Sequence, residues 1–70
     1  MNGVDEKAIG MAAGKVWDLL TEMGELSISR IISSLDEQPA LVSMAVGWLA
    51  REGRLNFRKA QKRGTLVSLK

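Results

Sequence analysis

The sixteen residues QPALVSMAVGWLAREG, from Gln38 to Gly53, follow a helical pattern that is apolar on more than one face. One set recurs with the i, i+3, i+4, i+7 spacing of a single helix face, and it consists of Val42, Ala45, Val46 and Leu49. A second set, Leu41, Met44 and Trp48, lies roughly 100° around the helix from the first. A surface helix needs only one apolar face, so the first set predicts contact with the core and the second requires a separate cover.

The length predicts a single domain spanning residues 1–70. A chain this short buries only about 60% of the surface that it exposes when unfolded, so a second copy or another partner would add useful stability. The sequence contains no Cys and no His, which excludes disulfides, Cys/His zinc sites, thiol nucleophiles and imidazole acid–base chemistry. We predict no cofactor, no metal and no small-molecule substrate.

Serines and carboxylates are present, but no general base, nucleophile motif, glycine-rich phosphate loop or metal cluster accompanies them, so we do not expect an enzyme. The amino end, MNGVDEKAIG, carries acidic residues and lacks the apolar segment of a secretory signal. No run approaches the roughly 18 apolar residues of a membrane span. We therefore expect a soluble, cytoplasmic protein without membrane contact.

Charge is distributed unevenly along the chain, whose net charge is +2. Residues 1–53 carry four basic and eight acidic side chains, whereas residues 54–70 carry six basic side chains and no acidic one. The sign changes where the central helix is predicted to end. Such asymmetry indicates what kind of partner the carboxyl-terminal part attracts.

The chain before the central helix predicts a long and a short helix. The long one begins between Asp5, a good N-cap, and Ile9, and it ends at Gly24. Its apolar stripe is Ile9, Ala12, Ala13, Val16, Leu19, Leu20 and Met23. The segment ELSIS, residues 25–29, predicts a short strand over Leu26 to Ile28. Ser29 is then expected to cap a helix from Arg30 to Leu35.

A turn at residues 36–38 leads to Pro39 in the first turn of the central helix, where its missing N–H is harmless, with Asp36 or Gln38 as the cap. After Gly53 the pattern alternates with a period of two residues, because Leu55 and Phe57 are separated by polar residues. We predict a hairpin with a basic tip of about six residues, 59–64. Its second strand covers residues 66–69, with Val67 and Leu69 on one side.

This order of elements is that of a winged helix-turn-helix, an α+β fold that is mainly α, with three helices and a small three-stranded antiparallel sheet ending in a wing hairpin. The segments IGMAAGKVW (residues 9–17), LSIS (26–29) and GWLAREG (47–53) resemble a small stand-alone prokaryotic winged helix-turn-helix family of uncharacterised function. The resemblance covers nearly the whole chain. By analogy with the wider winged-helix group, it implies DNA binding and a role in transcriptional regulation.

In that analogy the central helix is the recognition helix of a major groove. Its positions pointing away from the core include Ser43 and Arg51 as the only hydrogen-bonding side chains, so it is poorly suited to read bases. The nucleic-acid-binding residues that we predict are therefore mostly in the hairpin: Arg51, Arg54, Arg58, Lys59, Lys62 and Arg63. They would contact the backbone of duplex DNA.

An alternative interpretation is that these charges only solvate the hairpin and keep its edge from pairing with other chains. We identify no aromatic residue interleaved with them, so stacking of unpaired bases is not expected.

The second apolar set also has two interpretations. Trp48 either folds over a patch of small residues on the first helix, Gly10, Ala13 and Gly14, and enlarges the core, or it forms part of an exposed interface. The interface residues predicted in the second case are Leu41, Met44, Gly47 and Trp48, and the partner is a second copy of the chain or another protein. For Trp17 the core is favoured.

Overall fold

The computed structural model describes residues 5–70 of the chain. In chain order the elements are α1 (Glu6–Met23), β1 (Leu26–Ser27), α2 (Ile28–Ser34), α3 (Pro39–Arg51), β2 (Leu55–Ala60) and β3 (Gly64–Leu69). The three helices and the three-stranded antiparallel sheet confirm the predicted winged helix-turn-helix fold. The turn between α2 and α3 and the hairpin of β2 and β3, which we call the wing, lie where the pattern predicted them.

Both ends of α1 are set by the residues that the sequence indicated. The Asp5 carboxylate accepts a hydrogen bond of 2.8 Å from the backbone N–H of Ala8, which satisfies one of the unpaired donors of the first turn. At the other end Gly24 has a φ of 77°, and its N–H donates to the Leu20 carbonyl. Met23, however, is 56% exposed, so the buried stripe ends one turn earlier than predicted, at Leu20.

The cap of α2 is Ser27 and not Ser29. The Ser27 hydroxyl accepts a hydrogen bond of 3.1 Å from the Arg30 N–H, and the helix begins at Ile28. Consequently β1 is only Leu26–Ser27, and the predicted strand residue Ile28 is helical. Both serines have a hydroxyl suited to capping. The difference comes from tertiary structure, because Ser27 still pairs with Leu66 of β3 and has an extended backbone.

The central helix α3 begins at Pro39, with Gln38 as an N-cap that makes no side-chain bond. Its predicted core set is buried throughout, with Val42 and Ala45 at 0% exposure. One side chain of each of the other main elements is equally inaccessible: Val16 of α1, Ile31 of α2 and Val67 of β3. The core therefore lies where the three helices meet the central strand of the sheet.

The strand order is β1-β3-β2, so β3 is central and β2 is an edge strand. The two strands of the wing are longer than predicted, because Lys59 and Ala60 pair with Thr65 and Gly64. Its loop is three residues, 61–63, followed by Gly64 at a φ of 74°, a conformation that favours glycine. The predicted six-residue tip is wrong. Its polar residues were assigned to a loop, but strand pairing uses backbone groups and does not require apolar side chains.

Paired residues place their side chains on the same side of a sheet, which separates the two faces. Leu26, Leu55 and Val67 lie on the face that packs on the helices, and all three belong to the core. Leu66 is on the opposite face and is nevertheless 1% exposed. Its cross-strand neighbours are Ser27 and Arg58, so the polar face of the sheet has a small apolar centre.

The observed cap makes a direct prediction. Replacing Ser27 with Ala should lower the free energy of unfolding by about 1 kcal/mol, because the Arg30 N–H loses its acceptor. Ser29→Ala is the matched control, and its effect should stay within about 0.5 kcal/mol. Urea denaturation followed by circular dichroism measures both values. A larger loss for the Ser29 variant would show that the cap is the later serine.

Candidate nucleic-acid interface

The wing has four basic side chains, two on strand β2 and two in the loop at its tip. Arg58 and Lys59 are consecutive residues of β2, so their side chains point to opposite faces of the sheet. Lys62 and Arg63 lie in the three-residue loop. All four residues are exposed. The wing contains no acidic residue, and its tip is therefore strongly positive.

Arg58 makes a two-point ion pair with a distant acid. Its Nη2 donates to Glu25 Oε1 at 2.6 Å, and its Nε donates to Glu25 Oε2 at 3.1 Å. Glu25 directly precedes β1, so this fork spans the central strand from the edge strand β2. The hydrogen bond from Arg58 is the main cause that lowers the pKa of Glu25. The Arg58 guanidinium is therefore engaged within the chain and has less freedom to meet a phosphate.

Arg54 is also engaged within the chain. Its guanidinium carbon lies 5.5 Å from the centre of the Trp17 ring, within cation–π range, and its Nε is 3.4 Å from Glu52 Oε1. Trp17 is half-buried and packs against the core, in agreement with the favoured interpretation. Of the six predicted nucleic-acid-binding residues, Arg54 and Arg58 thus have intramolecular partners.

The other four predicted cations are Arg51, Lys59, Lys62 and Arg63. Within residues 5–70, no carboxylate lies within 4.0 Å of their charged nitrogens. Three of them, Lys59, Lys62 and Arg63, are on the wing. Arg51, at the end of α3, instead borders a groove with Trp48 and Glu52.

Phe57 departs from the sequence-based expectation. It lies on the same face of β2 as Leu55 and pairs with Val67, yet it is 48% exposed, whereas Leu55 is 5% exposed. The expectation that no aromatic residue is interleaved with the basic residues is therefore wrong, because Phe57 lies directly before Arg58 and Lys59 and its ring reaches the surface. The alternation of the sequence indicated its face correctly but not that an edge strand leaves that face partly uncovered.

The exposed side of α3 is mostly apolar. Beyond the core set it presents Ser43 and Arg51 as hydrogen-bonding side chains, as predicted. The second apolar set is divided. Leu41 is 7% exposed and belongs to the core, so the prediction of Leu41 as an interface residue is wrong, while Met44 and Trp48 are 46% and 40% exposed. The difference arises because Leu41 lies in the first turn of α3, next to the core set.

Trp48 stands between two shallow grooves where α3 lies against α1. One, of 370 Å³, is lined by Gly10 and Gly14, and the other, of 470 Å³, by Met44 and Gly47. Among residues 5–70, a methyl group added at any of these three glycines would meet no heavy atom within 4 Å apart from its chain neighbours and its own helix backbone. Trp48 therefore borders the small-residue patch of α1 without covering it. We call the surface of Gly10, Gly14, Met44, Gly47 and Trp48 the Trp48 face.

Residues 5–70 contain no helix long and apolar enough to cross a membrane, and no group of three or more Asp or Glu side chains arranged to hold a metal ion.

Comparison with known proteins yields one family and one curated relative. Residues 4–68 match the family described as "Winged helix-turn-helix domain (DUF2582)". The chain is also 43% identical over 58 residues to the "Uncharacterized protein MJ1608" of Methanocaldococcus jannaschii, an alignment that covers 79% of this chain and 81% of the relative. No solved structure matches the chain significantly.

The ion pair between Arg58 and Glu25 predicts how the Glu25 carboxyl group titrates. In the folded protein the pKa of Glu25 should lie below its ordinary value of 4.5, and Arg58→Gln should return it toward that value. Because the folded-state pKa is lowered, the stabilisation by the pair is present above pH 4.5 and is lost as the pH falls through the lowered pKa. The carboxyl ¹³C shift of Glu25 against pH measures this. Lys62→Gln, with the same change of charge, is the control, and equal pKa values in wild type and Arg58→Gln would contradict the assignment.

Proposed function

Because this chain belongs to the winged helix-turn-helix family DUF2582, we propose that it binds nucleic acid through its wing. Winged helix-turn-helix domains are commonly nucleic-acid-binding and typically non-enzymatic. The observation that carries the proposal is the group of Lys59, Lys62 and Arg63, three exposed cations without a carboxylate within 4.0 Å among residues 5–70. Cations in this state are available to neutralise phosphates and release counterions.

The wing contacts the nucleic-acid backbone in this proposal, and α3 reads few bases. Base readout requires side chains such as Arg, Asn or Gln at the surface of the recognition helix. Among the exposed residues of α3, only Ser43, Arg51 and the indole of Trp48 can hydrogen-bond to a base edge, whereas Ala40, Met44 and Gly47 cannot. Affinity with little sequence preference follows from that composition.

Anchoring of the wing supports the same function. The two-point bond between Arg58 and Glu25 links β2 to the residue before β1, and in this proposal it limits the motion of the wing. A wing held in one orientation loses less conformational entropy when it binds than a mobile one. In this account Arg58 positions the wing, while Lys59, Lys62 and Arg63 meet phosphates.

Removing the tip charges tests the proposal. The double variant Lys62→Glu/Arg63→Glu should bind a generic DNA duplex at least about tenfold more weakly than wild type at low salt. Lys62→Ala/Arg63→Ala should reduce the slope of log K against log salt by about 2, because two phosphate contacts are lost. Fluorescence anisotropy across a salt series measures both.

Lys7→Glu/Arg30→Glu is the matched control, since it changes the net charge equally at exposed positions on α1 and α2. That variant should retain most of the wild-type affinity. Equal losses in the two double variants would mean that net charge alone attracts DNA, and duplex binding unaffected by the tip substitutions would exclude the wing.

A second candidate function, self-association through the Trp48 face, is favoured by its glycines. Glycine in a helix interior is destabilising by about 1 kcal/mol relative to Ala, and close packing is the usual reason to keep it. Gly10, Gly14 and Gly47 have no such contact within residues 5–70. A second copy would supply it, and Arg51 at the rim of the groove has no carboxylate within 4.0 Å among residues 5–70, so it is available to pair with an acid of that copy.

Replacing these glycines with Ala tests self-association, because the substitutions should stabilise the monomer and weaken the dimer. Gly14→Ala and Gly47→Ala should each raise the free energy of unfolding of the monomer by about 0.5–1 kcal/mol, because the methyl group meets open space. The same changes should weaken dimerisation, since the facing helix can no longer approach. Chemical denaturation at low concentration and analytical ultracentrifugation at high concentration measure the two quantities.

Trp48→Ala and Met44→Glu should convert a dimer to a monomer. Met23→Glu is the control for the latter, because Met23 is 56% exposed and does not line either groove. A wild-type protein that sediments as a monomer at high concentration would rule out self-association.

A further inference from the structure

The ring of Phe57 is the one large apolar side chain that the wing exposes among the described residues. The other exposed large apolar residues are Met11, Met23, Met44 and Trp48, all on α1 or α3. Phe57 is therefore the member of this exposed apolar set that the wing contributes. On β2 it is followed by Arg58 and Lys59, and Lys62 and Arg63 lie in the loop beyond the strand, so this end of the wing is positively charged and suits a polyanion.

The geometry of β2 places one cation on the same face as the ring. Phe57 and Lys59 are two residues apart in a strand, so both side chains project from the face that bears Leu55, about 7 Å apart along the strand. Lys59 has no carboxylate within 4.0 Å among residues 5–70. Thr65, opposite Lys59 on β3, is exposed and leaves that part of the face open.

An exposed ring beside a phosphate-binding cation is the combination that binds unpaired nucleotides. We propose that Phe57 is a stacking site for an unpaired nucleobase, with Lys59 contacting a phosphate next to that base, so that the wing prefers single-stranded nucleic acid to a duplex. The inference depends on the proposed function of the wing and specifies its ligand. A duplex offers phosphates to the same cations, but its base faces are already stacked on one another.

The test compares three forms of nucleic acid with the full chain by fluorescence anisotropy: oligo-dT, oligo-rU of equal length and a duplex of equal length. Wild type should bind the single strands more tightly than the duplex. Phe57→Leu keeps apolar cover next to Val67 but removes the ring, and it should lose about fivefold or more in affinity for oligo-dT while its duplex affinity changes less than twofold.

Phe57→Tyr retains an aromatic face and should restore single-strand binding, which separates stacking from a loss of folding. Met11→Leu, at an exposed position on α1, is the control and should bind every form as wild type does. The Phe57 ring protons should also shift upfield when oligo-dT is added to the wild type. Tighter binding of oligo-dT than oligo-rU would identify DNA as the source of the unpaired base, and the reverse would identify RNA.

Two results would overturn the inference while leaving the proposed function intact: a wild type that prefers the duplex, or a Phe57→Leu variant that binds oligo-dT as wild type does. Loss of the proposed function has a different signature, because Lys62→Glu/Arg63→Glu would then bind both single strands and duplex with wild-type affinity.

Discussion

The packing of α3 between α1 and the sheet is the interaction on which the other features depend. Val42 is fully inaccessible, and it shares the core with equally inaccessible side chains of α1, α2 and β3. Fully burying an aliphatic side chain of this size contributes about 1.5–3 kcal/mol, a large fraction of the stability of a domain this small. Since the buried set occupies only one side of α3, the opposite side, including Met44 and Trp48, lies at the surface.

The sequence predicted the helical part of this fold well because its signals are local. Asp5 and Gly24 bound α1 through contacts within one turn, and the spacing of the core set in α3 defines its buried face. The choice between Ser27 and Ser29 as the cap of α2 was wrong because both have the required chemistry within their own segment. It is decided by pairing with Leu66, a residue far along the chain.

The candidate site was predicted less completely, because the state of a charged or aromatic side chain depends on distant neighbours. A count of basic residues does not distinguish Arg58, which is paired with an acid 33 positions away, from Lys59, which has no such partner among the described residues. Phe57 was assigned to the correct face, but its exposure follows from the position of β2 at the sheet edge. Leu41 was predicted as an interface residue but belongs to the core. The reason is similar, because the burial of its side chain depends on neighbours that the helical spacing of α3 does not show.

The regular ladder of the wing limits how its length can vary among related chains. The pairs from Leu55–Leu69 to Ala60–Gly64 are continuous. Adding one residue to each strand would therefore move all side chains beyond that point to the other face of the sheet. Two added pairs would move the three-residue tip outward by about 7 Å without turning it. One added pair would turn the side chains of the tip to the opposite face of the sheet. Wings that differ by even numbers of pairs can therefore share a ligand, whereas wings that differ by odd numbers present their tip charges to a different surface.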